Sequence, residues 1–347
     1  MKIQEAARHI IVGFEGAGLS AELDDLLKLG VGGVILFSRN YSSPEQVADL
    51  ISTIKHRAFC KELIVAVDQE GGRVMRFSKP FTPWPPMRAL GNKRDPSAAR
   101  KVGRFLAEEL SAIGINLNFA PVLDVDSNPQ NPVIGDRSIS DDPKVVAMLG
   151  SELILGMQEN GVMACAKHFP GHGDTFEDSH LTLPVCQADQ KTLKSRELPP
   201  FAKAIEIGVT SVMTAHVLYP AIDKKNPSSL SPKIINCILR EKMGYQGIVF
   251  SDDLLMKAIS DNTKEAAVQA IAAGSDMALV CKDAQRQEQA VAGLFDAVMS
   301  GRLKAMDLPD RESRIQKILR SMPSAPLKPK IGSDEAHELA EELSKYL

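Results

Sequence analysis

The 347-residue sequence lacks the features that mark several broad classes of protein. No apolar run approaches the roughly 18 residues needed to span a bilayer. Lys and Arg number 41 against 44 Asp and Glu, and the net charge of −3 supplies no field that would gather nucleic acid or an anionic membrane surface. The sequence therefore predicts neither nucleic acid nor a membrane as a partner.

Cysteines are few, odd in number and without C-x-x-C spacing, which favours reduced thiols over a disulfide framework. They are Cys60, Cys165, Cys186, Cys237 and Cys281. The first 16 residues turn polar after a short apolar patch and carry no small-residue cleavage site, so they predict no signal peptide. We expect a cytoplasmic protein.

Short apolar, β-branched runs recur eight times and alternate with amphipathic helical patterns. Runs with apolar residues on both faces of the predicted strand are typical of buried parallel strands. The predicted strands are His9–Phe14, Val31–Phe37, Leu63–Gln69, Ile115–Pro121, Val162–Phe169, Thr210–His216, Gly247–Asp253 and Ser275–Cys281. Helix-start signals, in which Ser or Asp precedes Pro, occur at Ser43, Asp95, Asp142 and Ser231. Gln46 is placed to complete a capping box with Ser43.

Eight β-α units predict a single catalytic domain with a (β/α)8 barrel over residues 1–302. A doubly wound open sheet is the competing architecture. Its nucleotide-binding forms are disfavoured because no G-x-G-x-x-G follows the first strand and no P-loop occurs. Residues 303–347 are predicted to form a helical extension packed on the barrel, with helices near Arg311–Met322 and Asp334–Tyr346. The extension could also contact a subunit, and we expect a monomer or a weak dimer.

Polar residues collect where five of the predicted strands end. In barrels this carboxyl-terminal edge is where active sites are built. Charged groups buried there cost several kcal/mol each unless they are paired. Five such strand ends favour a polar site over isolated structural contacts, although a plain salt bridge between Asp68 and Arg76 or Lys167 is the alternative for the binding residues. The segments are Asp68–Arg73, Asn118–Asp124, Lys167–His168, Thr214–His216 and Ser251–Asp253.

The densest polar cluster spans 167–180 and contains three histidines and three acids. One hypothesis is a metal site, for which His168, His172, Asp174 and His180 supply suitable ligand types. The other is acid-base chemistry, in which Asp178 holds one ring nitrogen of His180 and the other nitrogen delivers a proton.

Three segments resemble glycoside hydrolase family 3: DQEGGRVMRF at 68–77, KHFPGHGDTFEDSH at 167–180 and GIVFSDDLLM at 247–256. Within that family they are similar to bacterial β-N-acetylglucosaminidases of peptidoglycan recycling. The resemblance covers about residues 5–300. It implies a (β/α)8-type barrel, in agreement with the strand count.

The resemblance also implies roles for individual residues. Asp252 matches the nucleophile, with Asp253 as its rival. His180 matches the acid/base and Asp178 its dyad partner. The positions that hold the terminal sugar are matched by Asp68, Arg76, Arg137, Lys167 and His168.

The implied reaction is the release of terminal β-linked GlcNAc from muropeptides, such as GlcNAc-anhydroMurNAc peptides, through a covalent glycosyl-aspartate. No metal or cofactor is expected. An imidazole can donate and then accept a proton near neutral pH, and Gly171 and Gly173 are expected to free the loop to move. The alternatives are a phosphorylase or another β-glycosidase on the same barrel, a metal-dependent amidohydrolase-like barrel, and a non-catalytic sugar-binding barrel.

Overall fold

The computed structural model describes residues 2–179, 181–259, 261–304, 307–324 and 330–347. Eight parallel strands form a closed barrel in sequence order, and Ile11 in the first strand pairs with Leu279 in the last. The predicted (β/α)8 barrel is confirmed, and the open-sheet alternative is wrong. The strands are β1 Ile10–Gly13, β2 Gly33–Leu36, β3 Ile64–Val67, β4 Leu117–Asn118, β5 Met163–Phe169, β6 Ser211–Thr214, β7 Ile248–Asp253 and β8 Met277–Val280.

Helices surround the barrel and cover one end of it. The α-helices are α1 Ile3–Ala7, α2 Ala21–Leu29, α3 Pro44–Arg57, α4 Arg88–Lys93, α5 Pro96–Ala112, α6 Pro143–Gln158, α7 Gln190–Thr192, α8 Leu198–Glu206, α9 Thr263–Ala273, α10 Ala284–Met299, α11 Asp307–Ser321 and α12 Asp334–Ser344. Two further segments, Leu193–Glu197 and Lys233–Lys242, are π-helical.

The four predicted helix-start signals all act as caps. The side chains of Ser43, Asp95, Asp142 and Ser231 each accept a hydrogen bond from a backbone N–H of the following turn. The capping box predicted for Gln46 is wrong in register, because its Oε1 accepts from the backbone N–H of Ser42, one residue before the cap. The side-chain amide of Gln46 is also engaged, donating to the carbonyl of Ala17.

Alternate residues of each strand face two different apolar layers, as the period of two requires. The outward residues pack beneath the helices in the larger core cluster. The inward residues fill the barrel and form a second cluster. Its members from the strands include Ile11, Ile35, Ile64, Leu117, Met163, Ile248 and Met277. The barrel is therefore a packed core whose polar site can lie only above this filling.

Helix α11 covers the amino-terminal end of the barrel. Its Ile315 is buried and belongs to the interior cluster, with Ile318 and Leu319 packed against it. Arg311 donates to the carbonyl of Ser275, and Arg314 bonds the carboxylate of Asp276, just before β8 begins. The helix begins at Asp307, four residues before the predicted start at Arg311. Its first turn contains a single buried apolar side chain, Leu308, which is too little to show an apolar stripe.

Helix α12 lies against α4 and α5. Lys93 Nζ in α4 is 2.5 Å from Glu342 Oε1, and Ala336, Ala340 and Leu343 are buried. Part of the predicted extension thus packs on the helical layer, while the domain boundary at residue 302 stays a prediction. Within the described ranges, no helix is long and apolar enough to cross a membrane. All five cysteines are free, and Cys237 alone among them is exposed.

Candidate active site

A cavity of about 300 Å³ opens at the carboxyl-terminal ends of the strands. Its walls combine apolar side chains from the barrel with charged side chains from the loops. The charged and polar lining residues are Asp68, Glu70, Arg76, Arg137, Lys167, His168, His172, Ser179, Asp252 and Asp253. The apolar lining includes Ile35, Phe37, Phe119, Met213, Met256 and Leu279. This mixture is typical of small-molecule sites.

Two irregularities in the barrel ladder present the key side chains. On β5, Ala166 pairs with Val212 of β6, and Phe169 pairs with Thr214. The step is three residues on β5 and two on β6, so β5 has one extra residue at Lys167–His168. Along β7, Phe250 and Asp253 flank a similar shift against β8, and Asp252 lies inside it. Bulges of this kind reorient side chains at barrel rims.

Four charged residues form one network on the cavity wall. Lys167 Nζ lies 2.8 Å from Asp68 Oδ1 and 2.6 Å from Glu70 Oε1. Arg137 binds both oxygens of Glu70, at 2.8 and 2.9 Å. Burial works against the charge of Glu70, yet Arg137 and Lys167 hold its pKa well below the usual range. Asp68 and Glu70 in turn raise the pKa of Lys167 against its burial.

Asp68 also lies 3.5 Å from Arg76 Nη2, so the alternative of strand-end salt bridges is correct as a description of contacts. The same residues nevertheless line the cavity, where their remaining hydrogen-bonding capacity can meet a polar ligand.

A second buried group holds the histidines of the cavity. Asp124 Oδ2 lies 2.7 Å from His168 Nδ1, and Asp124 Oδ1 accepts the backbone N–H groups of His168 and His172. Burial opposes ionisation of Asp124, but the neighbouring His168 holds its pKa below the usual value. Burial and the adjacent His168 lower the pKa of His172 to about 4, so this imidazole is neutral near pH 7.

The two adjacent aspartates at the end of β7 differ in the direction of their pKa shifts and in their hydrogen bonds. Burial works against the charge of Asp252, but His216, His168, the Asp253 N–H and Lys167 keep its pKa below the usual value. Burial raises the pKa of Asp253, although its Oδ1 accepts the N–H groups of Leu255 and Cys281. Asp252 Oδ1 accepts one N–H, and Oδ2 accepts no hydrogen bond from the described residues. Asp252 thus has a carboxylate oxygen available to a ligand, whereas two backbone N–H groups hold the carboxylate of Asp253 in place.

Six of the eight predicted site residues line the cavity together: Asp68, Arg76, Arg137, Lys167, His168 and Asp252. His180 lies outside the described residues. Asp178 is partly exposed and does not belong to the described lining, and its backbone carbonyl accepts the N–H groups of Leu181 and Thr182.

Sequence reasoning did not select Glu70 or Asp124, although both lie in the polar strand-end segments. Each neutralises or orients a residue that was selected. The available signal was that each lies within a few residues of the end of an apolar strand, where an unpaired buried carboxylate would be costly.

The two glycines of the loop after β5 are closely packed in the structure. A Cβ on Gly171 would come within 2.7 Å of Glu197 Oε2, and one on Gly173 within 1.7 Å of the Val125 carbonyl. These glycines permit close packing in the structure, and the expected motion of the loop stays a prediction. Asp174, a candidate metal ligand, bonds Arg196 instead. Among the described residues, no group of three or more potential ligands is arranged to hold a metal ion.

Comparison with known proteins relates this geometry to a family. The glycosyl hydrolase family 3 N-terminal domain matches residues 13–318. A Beta-hexosaminidase of Nitrosomonas eutropha is 43% identical over 287 residues, which cover 80% of this chain and 82% of that protein.

Solved structures agree. A family 3 β-N-acetylglucosaminidase from Paenibacillus sp. FPU-7 superposes with a TM-score of 0.94 at 39% identity, covering 100% of this chain and 68% of that one. NagZ from Neisseria gonorrhoeae in complex with N-trifluoroacetyl-D-glucosamine gives a TM-score of 0.84 at 35% identity, with 97% of each chain covered. The resemblance found in the motifs is confirmed: this chain belongs to glycosyl hydrolase family 3 and is a glycoside hydrolase.

Proposed function

We propose that this protein is an exo-β-N-acetylglucosaminidase that removes non-reducing terminal GlcNAc from peptidoglycan fragments with retention of configuration. The observation that carries the proposal is Asp252, an ionised carboxylate on the wall of a cavity of about 300 Å³. That volume is at the lower end for small-molecule sites and suits a single sugar ring, as an exo-acting enzyme requires.

The charged network is the proposed binding site for the terminal sugar. Asp68 can accept hydrogen bonds from sugar hydroxyls, while Lys167, Arg76 and Arg137 donate. Glu70 holds Lys167 and Arg137 in place through contacts of 2.6 to 2.9 Å. His168, oriented by Asp124, offers its Nε2 atom to the same ligand.

In the proposed first step an Asp252 oxygen attacks the anomeric carbon, and the bond to the leaving oxygen breaks. That oxygen keeps the electron pair and takes a proton from the His180 imidazolium, which Asp178 orients. In the second step His180 removes a proton from water, the water oxygen bonds to the anomeric carbon, and the Asp252 carboxylate is released.

The relatives support the substrate class. The Nitrosomonas eutropha protein carries the name Beta-hexosaminidase, and the NagZ structure binds an N-acylated glucosamine in a chain that this one matches almost end to end. GlcNAc-anhydroMurNAc peptides are the proposed natural substrates, and a monomer or weak dimer in the cytoplasm is the proposed state.

The first test is the release of nitrophenol from 4-nitrophenyl β-N-acetylglucosaminide, with and without EDTA and phosphate. We expect turnover that neither addition changes. A rate that rises with phosphate and yields a sugar phosphate would identify a phosphorylase, loss of activity with EDTA would revive the metal-dependent alternative, and no turnover would favour a binding protein.

The covalent step has its own test. Proton NMR of the first-formed product should show the β-anomer, because two displacements at the anomeric carbon retain its configuration. An α-anomer formed first would contradict the glycosyl-aspartate. His180→Gly should slow cleavage of a sugar leaving group far more than that of nitrophenolate, which needs little protonation.

A further inference from the structure

Three charged residues form a cluster at the base of the loop after β5, outside the cavity lining. Arg196 Nη2 lies 2.6 Å from Asp174 Oδ2, and Arg196 Nε lies 2.5 Å from Glu197 Oε1. Arg196 and Glu197 belong to the π-helical segment that leads into α8, whereas Asp174 belongs to the loop. The arginine thus joins two separate elements of the chain.

Glu197 presses against the start of the loop. Its side chain is fully buried, and its Oε2 has no hydrogen-bond partner within the described residues. The same oxygen lies 2.7 Å from where a Cβ of Gly171 would be, so a side chain at this position would clash with it. Tyr219 donates from its hydroxyl group to the carbonyl of Gly171. The loop backbone is therefore fixed between Glu197 and Tyr219 where it leaves β5.

Burial raises the pKa of Glu197 to about 7, and the adjacent Arg196 opposes that rise. A buried carboxylate is costly without a partner. Arg196 is its ion partner in the described structure. The ion pair therefore stabilises the charged form of Glu197. Because Nη2 of the same arginine binds Asp174, the position of Asp174 is fixed relative to this buried pair.

The other side of the loop is held by the segment after β4. Asn131 Nδ2 donates to the carbonyls of His172 and Gly173, and Asn128 Nδ2 donates to that of Thr175. Residues 171–175 are thus held by other parts of the chain on two sides. Beyond them, Phe176 and Glu177 are exposed. Asp174 is the last charged anchor before the segment that carries Asp178.

We propose that Arg196 is a positioning residue for proton transfer: it ties Asp174 to Glu197 and so sets where the loop holds Asp178, the proposed partner of His180. The inference rests on the proposed function, since it requires that this dyad supplies the proton. Misplacement of a reacting group by about 1 Å can cost about 100-fold in rate. Loosening the anchor therefore acts on the steps that need the proton, while Asp252 on β7 stays in place.

The test uses Asp174→Asn and Arg196→Lys in the full-length protein, with two substrates that differ in their need for protonation. For N,N′-diacetylchitobiose, which has a poor leaving group, we expect kcat/KM to fall by at least about 10-fold. For 4-nitrophenyl β-N-acetylglucosaminide we expect a fall below about 3-fold. Because a lysine at position 196 keeps one cationic contact, Arg196→Lys should show the smaller of the two losses.

Arg302→Ala is the matched control, because Arg302 pairs with Glu265 on the exposed surface at 2.8 Å. It should change neither substrate's kinetics. Thermal unfolding confirms that each variant is folded, and Asp174→Asn leaves the buried Arg196–Glu197 pair intact if Arg196→Lys fails to fold. Equal losses on both substrates, or no loss, would overturn the inference.

A double variant separates this inference from the proposed function. If His180→Gly itself shows no selective loss on diacetylchitobiose, the proposed acid/base role fails. If His180→Gly shows it and Asp174→Asn does not, the positioning role alone fails. When both are right, Asp174→Asn in the His180→Gly background should add nothing to the difference between the two substrates.

Discussion

The two ends of the barrel each contain a buried carboxylate held by two cations. At the carboxyl-terminal end, Glu70 lies between Lys167 and Arg137. At the amino-terminal end, Asp276 lies between Arg240, at 2.6 Å, and Arg314, and also accepts the N–H of Val249. By residue type and burial the two groups are nearly alike.

They differ in what lies next to them. The Glu70 group borders a cavity, beside an ionised Asp252 with an oxygen available to a ligand. The Asp276 group is covered by α11, whose Arg311 and Arg314 complete it. Buried ion pairs are therefore a weak sign of function. The informative combination is a charged network together with an adjacent space and remaining hydrogen-bonding capacity.

The largest expected effect is that of Asp252→Ala, which should abolish activity at the carboxyl-terminal end without destabilising the barrel. Loss of the proposed nucleophile should lower kcat by a factor on the order of 10⁴ or more. The melting temperature should stay the same or rise, because a buried charge is removed. Steady-state kinetics and thermal unfolding of the same preparation measure both. Near-normal turnover would contradict the assignment and direct attention to Asp253.

A matched pair, Glu70→Gln and Asp276→Asn, tests whether the two carboxylates differ as described. Each change leaves two cations short of the buried carboxylate that they bind, so each should lower the free energy of unfolding by about 3–5 kcal/mol. Glu70→Gln should also lower kcat/KM by about 100-fold, since Lys167 and Arg137 would shift. Asp276→Asn should leave kcat/KM of the folded protein unchanged. Equal kinetic losses, measured alongside chemical denaturation, would remove the distinction.

A smaller effect is expected at both ends when the pH is lowered, which should reduce the free energy of unfolding. Burial lowers the pKa of His9, near Asp276, from 6.5 to about 4, and that of His172 at the site to about 4. The unfolded chain thus binds these protons more readily. Stability should be fully present above about pH 6.5 and fall as the pH drops towards 4, by at most about 3 kcal/mol for each histidine. His9→Asn should flatten this dependence in denaturation at pH 7.5, 6 and 5 without changing KM. An unchanged slope would show that His9 does not contribute.

Much of the fold could be predicted because the barrel strands are buried on both faces. Each predicted strand overlaps the observed one, and helix starts at Asp95 and Asp142 lie where a capping side chain precedes proline. The start of α11 has no signal in apolar periodicity, because Leu308 is the one buried apolar side chain of its first turn. The turn is favoured instead by Asp307 and Asp310 through the helix dipole. The π-helical segments leave no mark in residue type.

The sequence predicts which residues form the site but not how they are arranged. Strand-end polarity and motif resemblance selected Lys167 and Asp252, which the structure places on one cavity. The bulges that present both residues are set by strand register across the barrel and have no local sequence signal. The partnership of Glu70 with Arg137 spans 67 residues of chain, so spacing could not reveal it.

Helix α11 also bears on the order in which the molecule is completed. All eight strands and both proposed reacting residues, Asp252 and His180, precede it in the sequence, yet Ile315 fills the floor of the barrel interior. During synthesis, a nascent chain can hold every strand while the apolar interior still opens to water at its lower end. Contacts between residues this distant in sequence form slowly. The growing chain therefore passes through a stage in which all eight strands have been made but the lower end of the barrel interior is still open, and α11, made after the last strand, ends this stage.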